Sequence, residues 1–253
     1  MDKKIIKQAL RLLDIKEKYI IIHSNLLAFY KKTYCKPDQV WDIILNNFKN
    51  KTIIMPTFTL LNNQKKKPWS YNASKSESGS LTEYFRKNIS SRRTVHPIHS
   101  VAIYGPGTKK IPNHNCKSSF GPGSTWEWFA KNKDVCNLSM GIGVDGGATI
   151  FHYPEEKSIV NYRVYNSFNV KIIGKNEKVS IKKFSYFARI NNKNFTGQNS
   201  WKKCENDLIK KKILKQVKVR GIIFQKMNTN KVVDFISDQL KHDSNYLGRL
   251  IKY

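Results

Sequence analysis

Thr149-Ile-Phe-His-Tyr-Pro-Glu155 sets a histidine three residues before a carboxylate. It follows closely on a glycine-rich apolar segment, Leu138-Ser-Met-Gly-Ile-Gly-Val144. A histidine takes a proton near neutral pH, and a carboxylate beside it fixes its tautomer and stabilises the imidazolium. His152 and Glu155 are therefore candidates for a base and its orienting partner. The H-x-x-E spacing alone is a weak signal, and its meaning depends on what stands upstream.

Four segments precede it in a fixed order: Ile22-His-Ser-Asn-Leu-Leu27, Met55-Pro-Thr-Phe-Thr59, Arg93-Thr-Val-His-Pro-Ile-His-Ser-Val-Ala102 with Gly105 beyond, and Phe120-Gly-Pro-Gly-Ser-Thr-Trp126. Together with the His-Glu segment, this set resembles the aminoglycoside 3-N-acetyltransferase (antibiotic N-acetyltransferase) family. Members look like H-S-S-L, M-P-T-F, R-x-x-H-P-x-x-S, F-G-x-x-S and T-x-x-H-x-x-E in that order. The resemblance implies a compact α/β fold in which helices flank a mixed sheet. It also implies acyl transfer from acetyl-CoA, or another acyl-CoA, to an amino group of a sugar. In the family register, His152 is the general base and Glu155 orients it. The acyl-CoA is expected along His23, Ser24, Asn25 and Leu26, along Met55, Pro56 and Thr57, and along Arg93, His96 and Ser100. Phe58, Asp145 and Glu156 are expected on the acceptor side, with Glu156 also able to replace Glu155 as the orienting carboxylate.

The chain is long enough to bury one full core, and its 40% hydrophobic content suits a globular protein. One acyltransferase domain is expected over residues 1–253, with the motifs in 1–165 and a basic α+β part in 166–253. No apolar run reaches the length of a membrane-spanning helix. The start, Met1-Asp-Lys-Lys-Ile-Ile-Lys-Gln, lacks the apolar core of a signal peptide, so a cytoplasmic protein is expected. Cys35, Cys116, Cys136 and Cys204 are far apart, and His99, His114 and His152 follow no ligand spacing. Free thiols and no metal are expected.

Charge is the other strong signal. Forty-six Lys and Arg face 18 Asp and Glu, a net +28. Residues 171–253 hold 20 of the bases and 6 of the acids. Such a surface is either plain solvation or an attractor of anions, among them nucleotide-sugars, anionic glycans and the anionic inner face of a membrane. It argues against a polycationic acceptor. The preferred acceptor is therefore a nucleotide-linked or glycan amino-sugar of bacterial surface polysaccharide biosynthesis. The alternative is aminoglycoside 3-N-acetylation conferring antibiotic resistance. A reading of another class is a non-catalytic anion- or nucleic-acid-binding protein, but no zinc finger, RNP motif or helix-turn-helix supports specific nucleic-acid binding.

Local patterns predict helices over Lys4–Leu13, Pro37–Phe48, Thr82–Asn88, Thr125–Lys131 and Lys231–Leu240. Strands are predicted at Tyr19–His23, Lys51–Pro56, Val101–Tyr104, Leu138–Val144, Ile159–Tyr165 and Gly221–Gln225, and antiparallel strands over Val170–Ile190. Ser24 stands where a helix N-cap would, a ready anion site after a strand. Residues 62–80 read as a polar, flexible insertion, and Trp201–Val219 as a basic helix. Backbone N–H groups near Thr57 or Ser100 are expected to receive a developing oxyanion. Ser100 as a nucleophile with His152 is disfavoured because no G-x-S-x-G elbow is present.

Overall fold

The computed structural model describes residues 3–60, 67–113, 118–190, 195–196 and 198–250. His114, Cys116 and residues 62–66 of the 62–80 insertion lie outside them.

Helix α1 (Lys4–Leu13) buries Ile5, Ile6, Ala9, Leu10 and Leu13, the single apolar stripe that its periodicity demands. Strand β1 (Tyr19–Ser24) follows, then α2 (Leu26–Thr33), α3 (Pro37–Asn47), β2 (Thr52–Pro56) and β3 (Trp69–Ser70). Next come α4 (Ser80–Asn88), β4 (Arg92–Arg93), β5 (Val101–Tyr104), α5 (Thr125–Lys131) and β6 (Val135–Met140). A one-turn α6 (Val144–Gly147), a 3-10 turn at Thr149–Phe151 and α7 (His152–Lys157) carry the His-Glu segment. The long hairpin of β7 (Arg163–Ile173) and β8 (Val179–Arg189) follows, then β9 (Phe195–Thr196) and α8 (Gln198–Lys210). The described chain closes with β10 (Leu214–Val219), β11 (Ile222–Asn228), α9 (Thr229–His242) and β12 (Arg249–Leu250).

Seven strands form a mixed sheet in the order β10-β11-β6-β1-β2-β5-β4. The central β1 is parallel to both β2 and β6, and the outer pairs are antiparallel. Side chains alternate across a strand, so β1 serves two cores. Tyr19 and Ile21 join Ile54, Ile103, Trp126, Phe129 and Ile236 on one face. Ile20 and Ile22 join Ile53, Met55, Phe29, Trp41 and Phe85 on the other. Helices thus cover both faces of the parallel strands, as such strands require.

The helix after β1 is capped by Asn25, not Ser24: Asn25 Oδ1 accepts from the Ala28 N–H at 3.3 Å, and Ser24 ends the strand. The strand expected at 138–144 starts at Val135 and stops at Met140, because Gly141 takes a φ of +71° with its Cα packed toward Ala28 and Phe29. Trp201–Val219 is not one helix. It turns at Lys212, whose φ is +57°, and continues as β10. Of the 62–80 insertion, residues 67–80 are built into the fold. Trp69 is fully buried, and β3 pairs in parallel with Ile172 and Ile173 of β7.

Trp41 pins α3 to α4. Its indole N–H donates to the Leu81 carbonyl at 3.0 Å, and its ring centroid lies 4.5 Å from that of Phe85. Trp41→Ala is expected to lower unfolding free energy by about 3–5 kcal/mol, read as a lower urea midpoint with the slope unchanged.

Candidate active site

The His-Glu segment forms a helix start, so residues three apart share a face. His152 Nδ1 and Glu155 Oε2 lie 2.6 Å apart. Tyr162 donates its phenolic hydrogen to Glu155 Oε1 at 2.9 Å. Arg163, first residue of β7, places Nε 2.9 Å from Glu155 Oε2 and Nη2 3.0 Å from His152 Nδ1, while Nη1 donates to the Phe187 carbonyl. Nδ1 cannot both donate to Glu155 and accept from Arg163. Two acceptors at 2.6 Å would repel, so the proton sits on Nδ1 and points at Glu155. Arg163 Nη2 is then a neighbouring charge, not a donor. This tautomer leaves Nε2 as the basic nitrogen of a ring that is one quarter exposed.

Burial and the Arg163 charge lower the His152 pKa, and Glu155 opposes them. The imidazole is therefore neutral at neutral pH. For Glu155, burial works upward, but His152, Arg163 and Tyr162 outweigh it and hold the carboxyl below its usual range. Glu156 faces elsewhere. Ser118 and Tyr165 donate to its Oε1, and burial raises its pKa. Its Oε2 is buried without a well-formed hydrogen bond, although the Phe120 backbone is close enough to act on the carboxyl. Glu156 is bound by Ser118 and Tyr165, whereas His152 is held by Glu155.

Aromatic rings frame the imidazole. Phe120 meets it edge-on at 5.7 Å and Trp201 at 5.8 Å, and Phe120 continues to His99 at 5.2 Å and Trp126 at 5.6 Å. A cavity of about 280 Å³ opens at the C-terminal ends of β1 and β2. His23, Ser24, Pro56 and Phe58 line it, with Glu77, Ser78, Gly146 and Thr149, and Thr149 stands three positions before His152. Ligands of α/β sheets collect at such strand ends. Burial lowers the His23 pKa to about 4, so this ring is neutral, and its Nε2 is buried without a partner among the described residues. Asp145, exposed beside Gly146, has Oδ1 near the Gly143 backbone, as has Glu205 Oε2.

The remaining residues singled out from sequence fall in three places. Leu26 and Met55 pack in the core on the α1 face. Thr57, Arg93 and Ser100 form one buried knot. Thr57 and Ser100 hydroxyls lie 2.9 Å apart, and Arg93 Nε is 3.2 Å from each. Arg93 Nη2 donates to the Thr57 carbonyl at 3.0 Å and Nη1 to the Ser74 carbonyl at 2.6 Å. Burial pushes its pKa down to about 9, which leaves it protonated. An arginine 2% exposed, with its donors so occupied, is a cross-link here and not an open phosphate ligand. The Thr57 N–H is likewise committed, to the Ser100 carbonyl at 2.8 Å, so it does not face an oxyanion. The Ser100 hydroxyl is bound into this knot and not to His152, which leaves no Ser-His pair there. His96 is buried, and its Nδ1 accepts from the Ile98 and His99 N–H groups, closing the turn after Pro97.

Sequence reasoning missed Tyr162, Arg163 and Trp201 as parts of the site. The usable signal was a Tyr-Arg pair opening the strand just after the motif. Among the described residues, no group of three His, Cys, Asp or Glu is placed to hold a metal, and no helix is long and apolar enough to cross a membrane.

The family model described as aminoglycoside 3-N-acetyltransferase matches residues 21–241. The fold is shared with solved structures. An aminoglycoside acetyltransferase, AAC(3)-Xa, superposes with TM-score 0.79 at 16% identity, covering 98% of this chain and 94% of that one. A sisomicin-bound AAC-VIa gives 0.76 at 18%, covering 94% and 97%. An AAC-IIIb with CoASH gives 0.75 at 12%, covering 93% and 94%. No curated protein sequence matches the chain. The chain belongs to the aminoglycoside 3-N-acetyltransferase family. It is an acetyl-CoA-dependent N-acyltransferase.

Arg163, Glu155 and Arg189 are the charged groups that act on His152. Arg163→Gln removes a positive charge that disfavours the imidazolium, so the His152 pKa is expected to rise. Glu155→Gln removes the charge that favours it, so the pKa is expected to fall. Histidine-labelled NMR titration with thermal melts as the folding check reads both. A pKa that stays put in folded Arg163→Gln removes Arg163 as a determinant.

Proposed function

We propose that the protein transfers the acetyl group of acetyl-CoA to an amino group of an aminoglycoside-type amino-sugar, with His152 as general base. The observation that carries this reading is the neutral imidazole held at Nδ1 by Glu155, with Nε2 left over, three residues after Thr149, which lines the strand-end cavity. Nε2 takes the proton as the acceptor nitrogen attacks the thioester carbonyl, and Glu155 stabilises the imidazolium that results. The CoA thiolate departs, so positioning and the base carry the rate. The donor's phosphates fit the start of α2, where Ser24 and Asn25 precede the first helical N–H groups, of which that of Ala28 is already capped by Asn25. His23, Pro56 and Phe58 flank the thioester end, with Leu26 and Met55 packed beneath. Thr57, Arg93 and Ser100 support that wall from inside, and His96 shapes its edge.

The net +28 does not oppose a cationic acceptor as strongly as it does on paper. None of the described residues lining the cavity is Lys or Arg, and Glu77 is among them. Distant charges are screened beyond about 8 Å at physiological salt, so nearby carboxylates decide. Asp145 is the acceptor-side carboxylate, joined by Glu205, while Glu156, expected there from sequence, is buried against Ser118 and Tyr165. Family membership and a relative solved with sisomicin support the same acceptor class. The overall charge still favours a second reading, an anionic nucleotide-linked amino-sugar, and contact with an anionic membrane face rests on that charge alone.

His152→Ala is expected to lower kcat by about 100-fold or more, and a folded variant with near-normal turnover removes the assignment. The acceptor is decided by kcat/KM against ionic strength. A kanamycin-like polycation is expected to outperform a nucleotide-linked amino-sugar at every salt concentration. If the nucleotide-linked sugar wins, and its advantage shrinks as salt rises, the second reading replaces the first.

A further inference from the structure

The protein's positive charge is not spread evenly over its concave surfaces. The strand-end cavity has no cationic lining residue among those described. A larger cavity of about 750 Å³ lies along the β4 edge of the sheet, and Arg92, Arg93, Lys109 and Lys175 line it with Tyr71, Val95 and Pro106. A second cavity of about 340 Å³ shares Tyr71, Arg92, Arg93 and Lys175 with it, and adds Arg86 and Lys87. Among the described residues, no carboxylate lines either one. Glu83, the nearest acid to Arg86, is bound by it at 2.7 Å, and Glu177 accepts from Asn72 at 2.7 Å.

Among the described residues, this place shares no lining residue with the strand-end cavity, although Arg93, in its wall, also holds the Thr57 carbonyl behind that cavity. Pro56, at the end of β2, lines the strand-end cavity. The β4-edge cavity is lined by Gly105, whose backbone packs on Lys51 and Thr52 at the opposite end of β2. Five residues of extended chain separate Lys51 from Pro56, about 16 Å at ~3.3 Å per residue. The charge is also held in place. Arg92 Nη1 donates to the Thr108 and Ile111 carbonyls, each at 2.7 Å, which fixes the guanidinium at the cavity wall. Arg93 adds a buried charge that is locked by its own hydrogen bonds. Lys109 and Lys175 are exposed and reach the same cavity from two different loops.

Like charges gathered around one concavity repel each other, and a multiply charged anion relieves that repulsion. Oxyanions also match the fork of an arginine better than other anions do. A cavity of this size accommodates more than one phosphate, and its Val95, Pro106 and Tyr71 surfaces suit a planar apolar group. We propose that the Arg92–Lys109–Lys175 cavity is a second ligand site, distinct from the acyl-transfer site, for a small phosphate-bearing molecule of nucleotide size.

The test is calorimetric titration of the full chain with ADP at low salt, the protein being first saturated with CoA so that the donor site is filled. ADP is expected to bind, to be displaced by inorganic pyrophosphate, and to weaken as salt rises. Lys109→Glu with Lys175→Glu is expected to weaken ADP binding at least tenfold, with melting temperature and acetyl-transfer rate unchanged, since both side chains are exposed and outside the catalytic machinery. Equal ADP affinity in the double variant overturns the site. So does loss of ADP binding on CoA saturation, or the absence of ADP binding at millimolar concentration. None of these results bears on His152, so failure here leaves the acyltransferase reading intact.

Discussion

The buried guanidinium of Arg93 is the constraint on which the site's walls depend. A charge taken out of water is costly unless its donors are satisfied, and a half-satisfied one destabilises more than none. Arg93 meets that condition by binding the Thr57 carbonyl, the Thr57 and Ser100 hydroxyls and the Ser74 carbonyl, with its plane against Trp69. Those partners come from the end of β2, the start of β5 and the segment after β3. One side chain thus fixes the relative positions of Pro56, Phe58, Glu77 and Ser78, the residues that surround the strand-end cavity.

The second organising contact is the meeting of α7 with the start of β7. His152 and Glu155 come from a helix, while Tyr162 and Arg163 come from the strand that follows. The carboxylate is therefore held by a neutral donor and a cation from outside its own helix. Its remaining freedom is small, and the imidazole inherits that order. Phe120 and Trp201 exclude water from the ring's flanks while leaving part of it open. An unpaired carboxylate at the same depth would be protonated, and the histidine would lose its partner.

The parts of the fold governed by short-range chemistry were legible in the chain. Val101–Tyr104 is a strand over those same residues, and Ser124 caps the helix that follows by accepting from the Glu127 N–H. The His-Glu pair was legible through the order of the upstream motifs, and a short helix brings its two side chains together. What failed depended on distant packing or on backbone handedness. Lys210-Lys-Lys carries no apolar period, so the left-handed turn at Lys212 was invisible there. Arg93 was placed along the acyl-CoA because sequence reports its charge and not its burial. Arg163 was missed because its role comes from where β7 begins, which only the assembled hairpin fixes. The net charge was legible as a sum and misleading as a field, since among the described residues no Lys or Arg lines the strand-end cavity.

The two margins of the seven-stranded sheet deserve a separate reading. One is β4, only two residues long and both of them arginines. The other is β10, where Lys215 and Lys218 project beside Gln216. An open strand margin is a template for recruiting another chain, and truncation and lysine are two ways in which proteins blunt it. Both are used here, one at each margin. Two molecules meeting at the β10 margin would bring exposed lysines against lysines before a backbone hydrogen bond could form, and β4 is too short to template a long pairing. Charge at one margin and brevity at the other thus both work against the apolar centre of the sheet being extended by a neighbour.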